Sequence, residues 1–461
     1  MAGRKRFSVM RDPVHGDVYL THEELRLLDT PEMQRLRGIK QLGTAYLVYP
    51  GAVHTRFDHS IGTTHLTQRL IDSINLSFQL DPATSLAIGD EEARVIRIAG
   101  LLHDVTHIPF GHNIEDQDGL FERHDSAYRY TRMFDASRPL GRVLDELGVR
   151  QDVFSILTKP GTPGRRDIPP YWHQILSGTI AADILDYLAR DAYFSGLRLQ
   201  VDERVTSYFK IDRSTGNLYI DLAKHDLLRE DILSEIVRML EARYYFSERV
   251  YYHHAKVAAG ALVARAVDLC VQAGTVSEED LYDCTDDSIQ GVLMAGGAKA
   301  GGETEAAVRD LIQRLRMRRL YKRACVFPRY ENEAIQEDLV QRFFASGGAA
   351  NREQMEGRIQ EMVRFATGRD VRVIVYCPAK RMQLKEARIH VRWPGTDGVR
   401  PLSEFRDRVP RLGDLEASYQ NLWKFYVLSD AADPKVLAKV QEIAEAEFDS
   451  ARNVYSLGKP S

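Results

Sequence analysis

The segment AGLLHDVTHIPFGH (99–112) runs an apolar helical pattern directly into His103, Asp104 and His107. The spacing predicts a helix with the two histidines four apart on one face, stopped nearby by Pro109. His103 and Asp104 diverge around such a helix, yet side chains of different length at a helix end can converge on one ion. A divalent metal that activates water needs neutral imidazole and carboxylate together, with positions left open for solvent and substrate. Two neighbouring residues leave that sphere incomplete. The missing ligands must come from other helices, and HTRFDHS (54–60) and ADILDYLARD (182–191) offer them. In the second, Asp183, Tyr187 and Asp191 fall at i, i+4 and i+8, one polar stripe on a helix whose Ile180, Ile184, Leu185 and Leu188 pack elsewhere. Histidine placement points the same way, because seven of the 14 lie between His54 and His124.

The elements that must hold these residues are mostly helical. Apolar residues recur at helical spacing over 23–80 and 91–102, broken by turn signals at Asp29-Thr30-Pro31 and Tyr49-Pro50-Gly51. A polar loop over 159–170 leads into the helix of ILSGTIAADILDYLARDAYF, and 210–221 reads as a small hairpin. Long helices return over 231–269. The glycine- and alanine-rich stretch 291–302 reads as a flexible loop. Beyond 350, VRVIVY (371–376), RIHVRW (388–393) and WKFYV (423–427) are β-rich. The expected fold is mainly α: a helical-bundle core over 1–290, a flexible loop and helical extension over 291–365, and a C-terminal α/β unit over 366–461.

Composition narrows the class. The 62 Lys plus Arg nearly balance 66 Asp plus Glu, which predicts neither wholesale nucleic-acid coating nor membrane adhesion. Four cysteines without a C-x-x-C pair argue against a zinc ribbon, a redox dithiol or a disulfide framework. MAGRKRF lacks the apolar run of a signal peptide, so the expected compartment is the cytoplasm.

The chain resembles the HD superfamily, named for the doublet seen here as His103-Asp104, and within it the deoxynucleoside triphosphate triphosphohydrolases, a branch that includes mammalian enzymes joining a SAM domain to the HD domain. The resemblance is carried by RDPVHGDVYL (11–20), DTPEMQRLRGIKQLG (29–43), HTRFDHSIG (54–62), the His-Asp segment and DYLARDAYFSGL (186–197), in order over roughly the first 260 residues. It implies one divalent metal, Fe, Mn, Zn or Mg being undistinguished, on His59, His103, Asp104 and Asp183. It implies that His107, Glu115 and His124 serve proton transfer to the leaving oxygen; the family usually has aspartate where Glu115 stands, so Asp116 is an alternative. It matches Arg56 to a phosphate-binding arginine, and Gln41, Leu42, Tyr187, Asp191 and Tyr251 to positions that recognise a deoxyribose, with the leucine where a 2′-hydroxyl would sit. It also implies a regulatory nucleotide, GTP or a dNTP, between the subunits of a homo-oligomer (dimer or tetramer), with Asp29, Gln34 and Arg37 reading the base and Arg318 and Lys322 the phosphates.

One departure bears on substrate. The family often has Lys or Arg after the last ligand aspartate, where this chain has Ile184; Arg190, Arg249, His253, His254 or Lys256 are the cations available to compensate. An HD centre acting on a nucleoside monophosphate, a signalling nucleotide or a phosphodiester therefore stands beside the triphosphohydrolase reading, as does a nucleotide sensor without turnover. Taken singly, Asp29 also reads as a helix cap with solvated arginines behind it, MRRLYKR as a solvated helix face, and Asp186 as a cap or a bridge between helices.

Overall fold

Thr55 and Asp58 start the helix on which much of the site depends. The Thr55 side chain accepts from Asp58 N–H and the Asp58 carboxylate accepts from Thr55 N–H, a reciprocal capping box that sets the first turn of the Arg56–Leu80 helix. His59 follows one residue later, buried among Arg56, Phe57, Ser60 and Ile61. The computed structural model describes residues 7–115, 117, 120–178, 180–199, 202–345, 347–379 and 388–457; Asp116 lies outside them.

The fold is mainly helical with a C-terminal α/β unit. The Arg56–Leu80 helix packs between Asp90–Leu102 and Ala182–Ser195, so the three segments that carry chemistry face one another. The crossing with Ala182–Ser195 is close: a Cβ on Gly62 would lie 1.9 Å from Asp186 Oδ1 and 2.3 Å from Arg190 Nη2. Gly62→Ala is therefore expected to lower unfolding free energy by about 1–3 kcal/mol, as overpacking of a tight contact does. Denaturant titration of the purified variant checks this.

Before this trio come the Ser8–Asp12 and Gly16–Leu20 strands, an antiparallel hairpin whose turn is held by Asp12 Oδ1 accepting from Val14 and His15 N–H. After it, the expected hairpin over 210–221 forms from Phe209–Ile211 and Leu218–Asp221. Its second strand pairs in parallel with His390–Arg392, tying the C-terminal region to the helical part. The helices expected over 231–269 are Glu230–Phe246 and His254–Gln272. The β-rich C-terminal segments contribute Val373–Tyr376 and Lys424–Ser429 to an antiparallel sheet with Lys322–Pro328, covered by Ala349–Thr367 and Pro434–Glu447. All four cysteines are buried free thiols. Among the described residues no helix is long and apolar enough to cross a membrane.

Four local expectations are corrected. The glycine-rich stretch 291–302 is not a loop: Ser288–Ala300 and Gly302–Arg316 are helices broken only at Gly301, whose φ is 70°. Its glycines serve close packing, since Cβ atoms on Gly296 and Gly297 would come within 2.6 Å of Val276 and 3.0 Å of Val308. The helix before the His-Asp doublet ends at Leu102, so His103 and His107 do not share a helical face. The chain turns there because the buried Arg35 guanidinium takes the carbonyls of Val105 and His107, each at 2.8 Å, while Phe110 adopts a φ of 57°. Asp29 ends one helix rather than capping the next, whose N-cap is Thr30, and Arg35 is buried rather than solvated. MRRLYKR is not a helix face: the helix stops at Arg316, Arg318 has a φ of 52°, and Lys322 opens a strand.

Candidate active site

His59, His103, Asp104 and Asp183 come together from three separate segments. His59 Nε2 lies 3.1 Å from His103 Nε2, 3.0 Å from Asp183 Oδ1 and 3.9 Å from Asp104 Oδ2. His103 Nε2 is 3.6 Å from Asp104 Oδ1 and 3.8 Å from Asp183 Oδ1. The hydrogen-bond partners fix the tautomers. His103 Nδ1 faces the carbonyl of Gly100 at 2.8 Å, and a carbonyl only accepts, so the proton sits on Nδ1. His59 Nδ1 donates to Asp186 Oδ2 at 2.7 Å. With the Nδ1 protons so placed, it is Nε2 of each ring that faces the other and is available as a metal ligand, with two carboxylates alongside.

Four lone-pair atoms at this separation repel unless a cation lies among them. Burial alone would push the proton affinity of His59 down, yet contacts with Asp183 and Asp186 raise its pKa to about 10, so the surrounding carboxylates favour positive charge here. Two imidazoles and two carboxylates suit a first-row divalent metal, and Asp183 keeps about a third of its side chain exposed, leaving an approach for ligand. The residues present fit the expected metal.

Beside this cluster Asp104 also meets Arg56, Nη1 to Oδ2 at 2.5 Å, and His107, Nε2 to Oδ1 at 3.2 Å. His107 stacks on His124 with ring centroids 3.8 Å apart. Glu115 stands behind both: its Oε2 takes His124 Nδ1 at 2.9 Å and its Oε1 takes the fully buried Arg129 at 2.6 Å. Burial would raise the Glu115 carboxyl, but His107 and His124 hold it well below the ordinary range. Burial, followed by the nearby charges of Arg56 and His124, pushes His107 down to about 3. His107 is thus neutral at working pH, and the ionised Glu115 orients His124. With His112 the two stacked rings make a group of three imidazoles close enough to share an ion.

These groups open into a pocket of about 330 Å³, within the usual range for small-molecule sites. Gln41, Leu42, Arg56, His107, His124, Tyr187, Asp191 and Tyr251 all line it, together with His59, Asp104 and Asp183. Asp191 is itself held, by His54 Nε2 at 2.7 Å and the Tyr251 hydroxyl at 2.8 Å. Glu115 supports from behind rather than lining the pocket. Ile184 is buried in the core. Of the cations offered in its place, Arg190 is buried against Asp186 and Asp12, and Arg249, His253 and His254 do not line the pocket; Lys256 does.

Arg243, Asn113, Pro378 and Tyr419 also line the pocket and were not singled out in the sequence. Arg243 and Tyr419 belong to helices with no chemical signature, and only the fold brings them here. Asp29, Gln34, Arg37, Arg318 and Lys322 all stand outside the pocket. Arg37 lies 3.5 Å over the Phe57 ring and donates to Gln34, whereas Arg318 donates to the Leu47 carbonyl; burial first, then the charges of Arg323 and Arg318, lower the proton affinity of His253.

Comparison with known proteins gives a consistent set of likenesses. A model of the HD domain matches residues 56–191, and one of the HD-associated region matches 226–453. An uncharacterized protein of Methanocaldococcus jannaschii is 26% identical over 439 residues, 95% of this chain and 81% of the relative. The deoxynucleoside triphosphate triphosphohydrolase SAMHD1 of Gallus gallus is 30% identical over 272 residues, and that of Homo sapiens 28% over 249. The chain covers 42% and 39% of those two proteins, less than half their length. A crystal structure of a hypothetical protein from Aquifex aeolicus superposes with a TM-score of 0.64 at 21% identity, covering 95% of this chain and all of that one, a likeness of fold.

Proposed function

Because this chain belongs to the HD-domain family, with an HD-associated region behind that domain, we propose that it is a metal-dependent phosphohydrolase that removes tripolyphosphate from deoxynucleoside triphosphates. The observation that carries the reading is the convergence of His59, His103, Asp104 and Asp183, of which His59, Asp104 and Asp183 line a pocket that also holds Arg56, Arg243 and Lys256 and is walled by Tyr187, Tyr251 and Tyr252. A divalent cation on those four residues supplies, when bound, Lewis-acid polarisation of the α-phosphate and activation of water.

The chain's own residues account for the rest. Lys256 and Arg243 line the pocket beside Arg56, whose charge is shared with Asp104; as cations for a triphosphate they offset the apolar Ile184. Water oxygen adds to the α-phosphorus as phosphorus loses its bond to the nucleoside 5′-oxygen; one water proton stays on the new tripolyphosphate oxygen and the other leaves to solvent. His124, aligned by Glu115, gives that oxygen its proton. Asp191 and Tyr251 form one hydrogen-bonded unit beside Tyr187 for the sugar. Leu42 closes the sugar subsite against a 2′-hydroxyl. Leu42→Ala is expected to narrow the ratio of kcat/KM for a dNTP over the matching NTP by about tenfold, the scale of one apolar contact; paired assays on both nucleotides check it, and any loss of stability cancels in the ratio.

Asp29, Gln34, Arg37, Arg318 and Lys322 are proposed to bind an activating nucleotide, GTP or a dNTP, between copies of the chain in a dimer or tetramer. The whole reading is tested by incubating metal-loaded protein with dNTPs, NTPs, nucleoside monophosphates and cyclic nucleotides, with and without added GTP, and resolving the products. Tripolyphosphate and deoxynucleoside are expected from dNTPs. Orthophosphate from monophosphates, or no product from any dNTP, would overturn it.

A further inference from the structure

Asp186 is one turn beyond Asp183 on the Ala182–Ser195 helix, and no solvent reaches it. Both of its oxygens are fully engaged. Oδ2 accepts from His59 Nδ1 at 2.7 Å and Arg190 Nε at 2.9 Å; Oδ1 takes His15 Nε2 at 2.6 Å and Arg190 Nη2 at 2.9 Å. Arg190 also donates to Asp12 Oδ2 at 2.8 Å, and Asp12 holds the turn that presents His15. The N-terminal hairpin is thereby joined through one carboxylate to the ring of His59. The space for this junction exists only because residue 62 has no side chain.

Burying an aspartate, an arginine and a histidine gives little stability over an apolar packing of the same volume, so the arrangement calls for another purpose. Its chemical effect is on His59. A carboxylate at Nδ1 keeps the proton on that nitrogen, aims the Nε2 lone pair at the cluster, and raises the basicity of the ring as a ligand. We propose that Asp186 and His15 are positioning residues of the metal site, making the N-terminal hairpin part of the machinery that sets metal affinity. This rests on the reading that His59, His103, Asp104 and Asp183 hold a metal.

The test uses the full chain, stripped of metal and titrated with Co(II), whose visible absorption reports the ligand field. Asp186→Asn keeps the volume but weakens acceptance from His59; His15→Gln removes the imidazole at a partly exposed position. The dissociation constant for Co(II) is expected to rise about 10–100-fold in Asp186→Asn and by a smaller factor in His15→Gln, with the absorption bands shifted in both. Circular dichroism and the melting temperature of metal-free His15→Gln should match the parent, and if Asp186→Asn fails to fold, His15→Gln decides alone. Parent-like affinity and spectrum in the folded variants would overturn the positioning role. A parent protein that binds no Co(II) would instead overturn the metal reading beneath it.

Discussion

His103→Ala is expected to lower kcat by on the order of 10³-fold or more and to leave the purified protein without stoichiometric metal. The size follows from what His103 does: its Nε2 is one of the four lone-pair atoms of the cluster, 3.1 Å from its His59 counterpart. The fold should tolerate the change, because His103 sits just past the end of its helix and, outside the cluster, its ring bonds among the described residues to the Gly100 carbonyl. Asp104→Ala should be equally inactive but less informative. It strips the buried Arg56 of its carboxylate partner, and breaking a buried pair destabilises by about 3–5 kcal/mol. Elemental analysis beside a turnover assay checks both; turnover within tenfold of the parent in His103→Ala would contradict the assignment.

His124→Ala is expected to lower kcat by about 10²–10⁴-fold while metal content and KM stay near the parent values. Activity and metal content thus separate in this variant, where they fall together in His103→Ala. The proton role falls to His124 because His107, driven to a pKa of about 3, is a neutral imidazole without an acidic proton to give, while Glu115 holds His124 through Nδ1. A substrate whose leaving oxygen needs no proton, such as a nitrophenyl ester of tripolyphosphate, should lose far less activity in the variant. Equal loss on both substrates would assign His124 to binding or structure instead.

The parts of the site that rest on local pattern were legible in the sequence. Asp183, Tyr187 and Asp191 repeat every four residues, so a straight helix puts them on one wall, and they are found there. The β-rich segments near 373 and 424 became strands because their side chains suit a buried sheet. What depended on distant partners was not legible. The helix before His103 looked continuous, and it ends at Leu102 because Arg35, some seventy positions earlier, satisfies the carbonyls of the turn. Glycines 296 and 297 looked like a loop, and their value lies in what they let approach. Arg243 and Tyr419 reach the pocket from helices whose sequences carry no chemical signature. Asp186 read as a cap or a bridge between helices, and it bridges, but its partners His15 and Arg190 could be named only once the hairpin was seen against the helix.

Anomalous diffraction from crystals of the purified protein, at the absorption edge of the metal that elemental analysis finds, bears most directly on all of this. A single strong peak within bonding distance of His59 Nε2, His103 Nε2, Asp104 and Asp183 is the predicted result. A peak among His107, His112 and His124 alone, or none at either place in active protein, would contradict it.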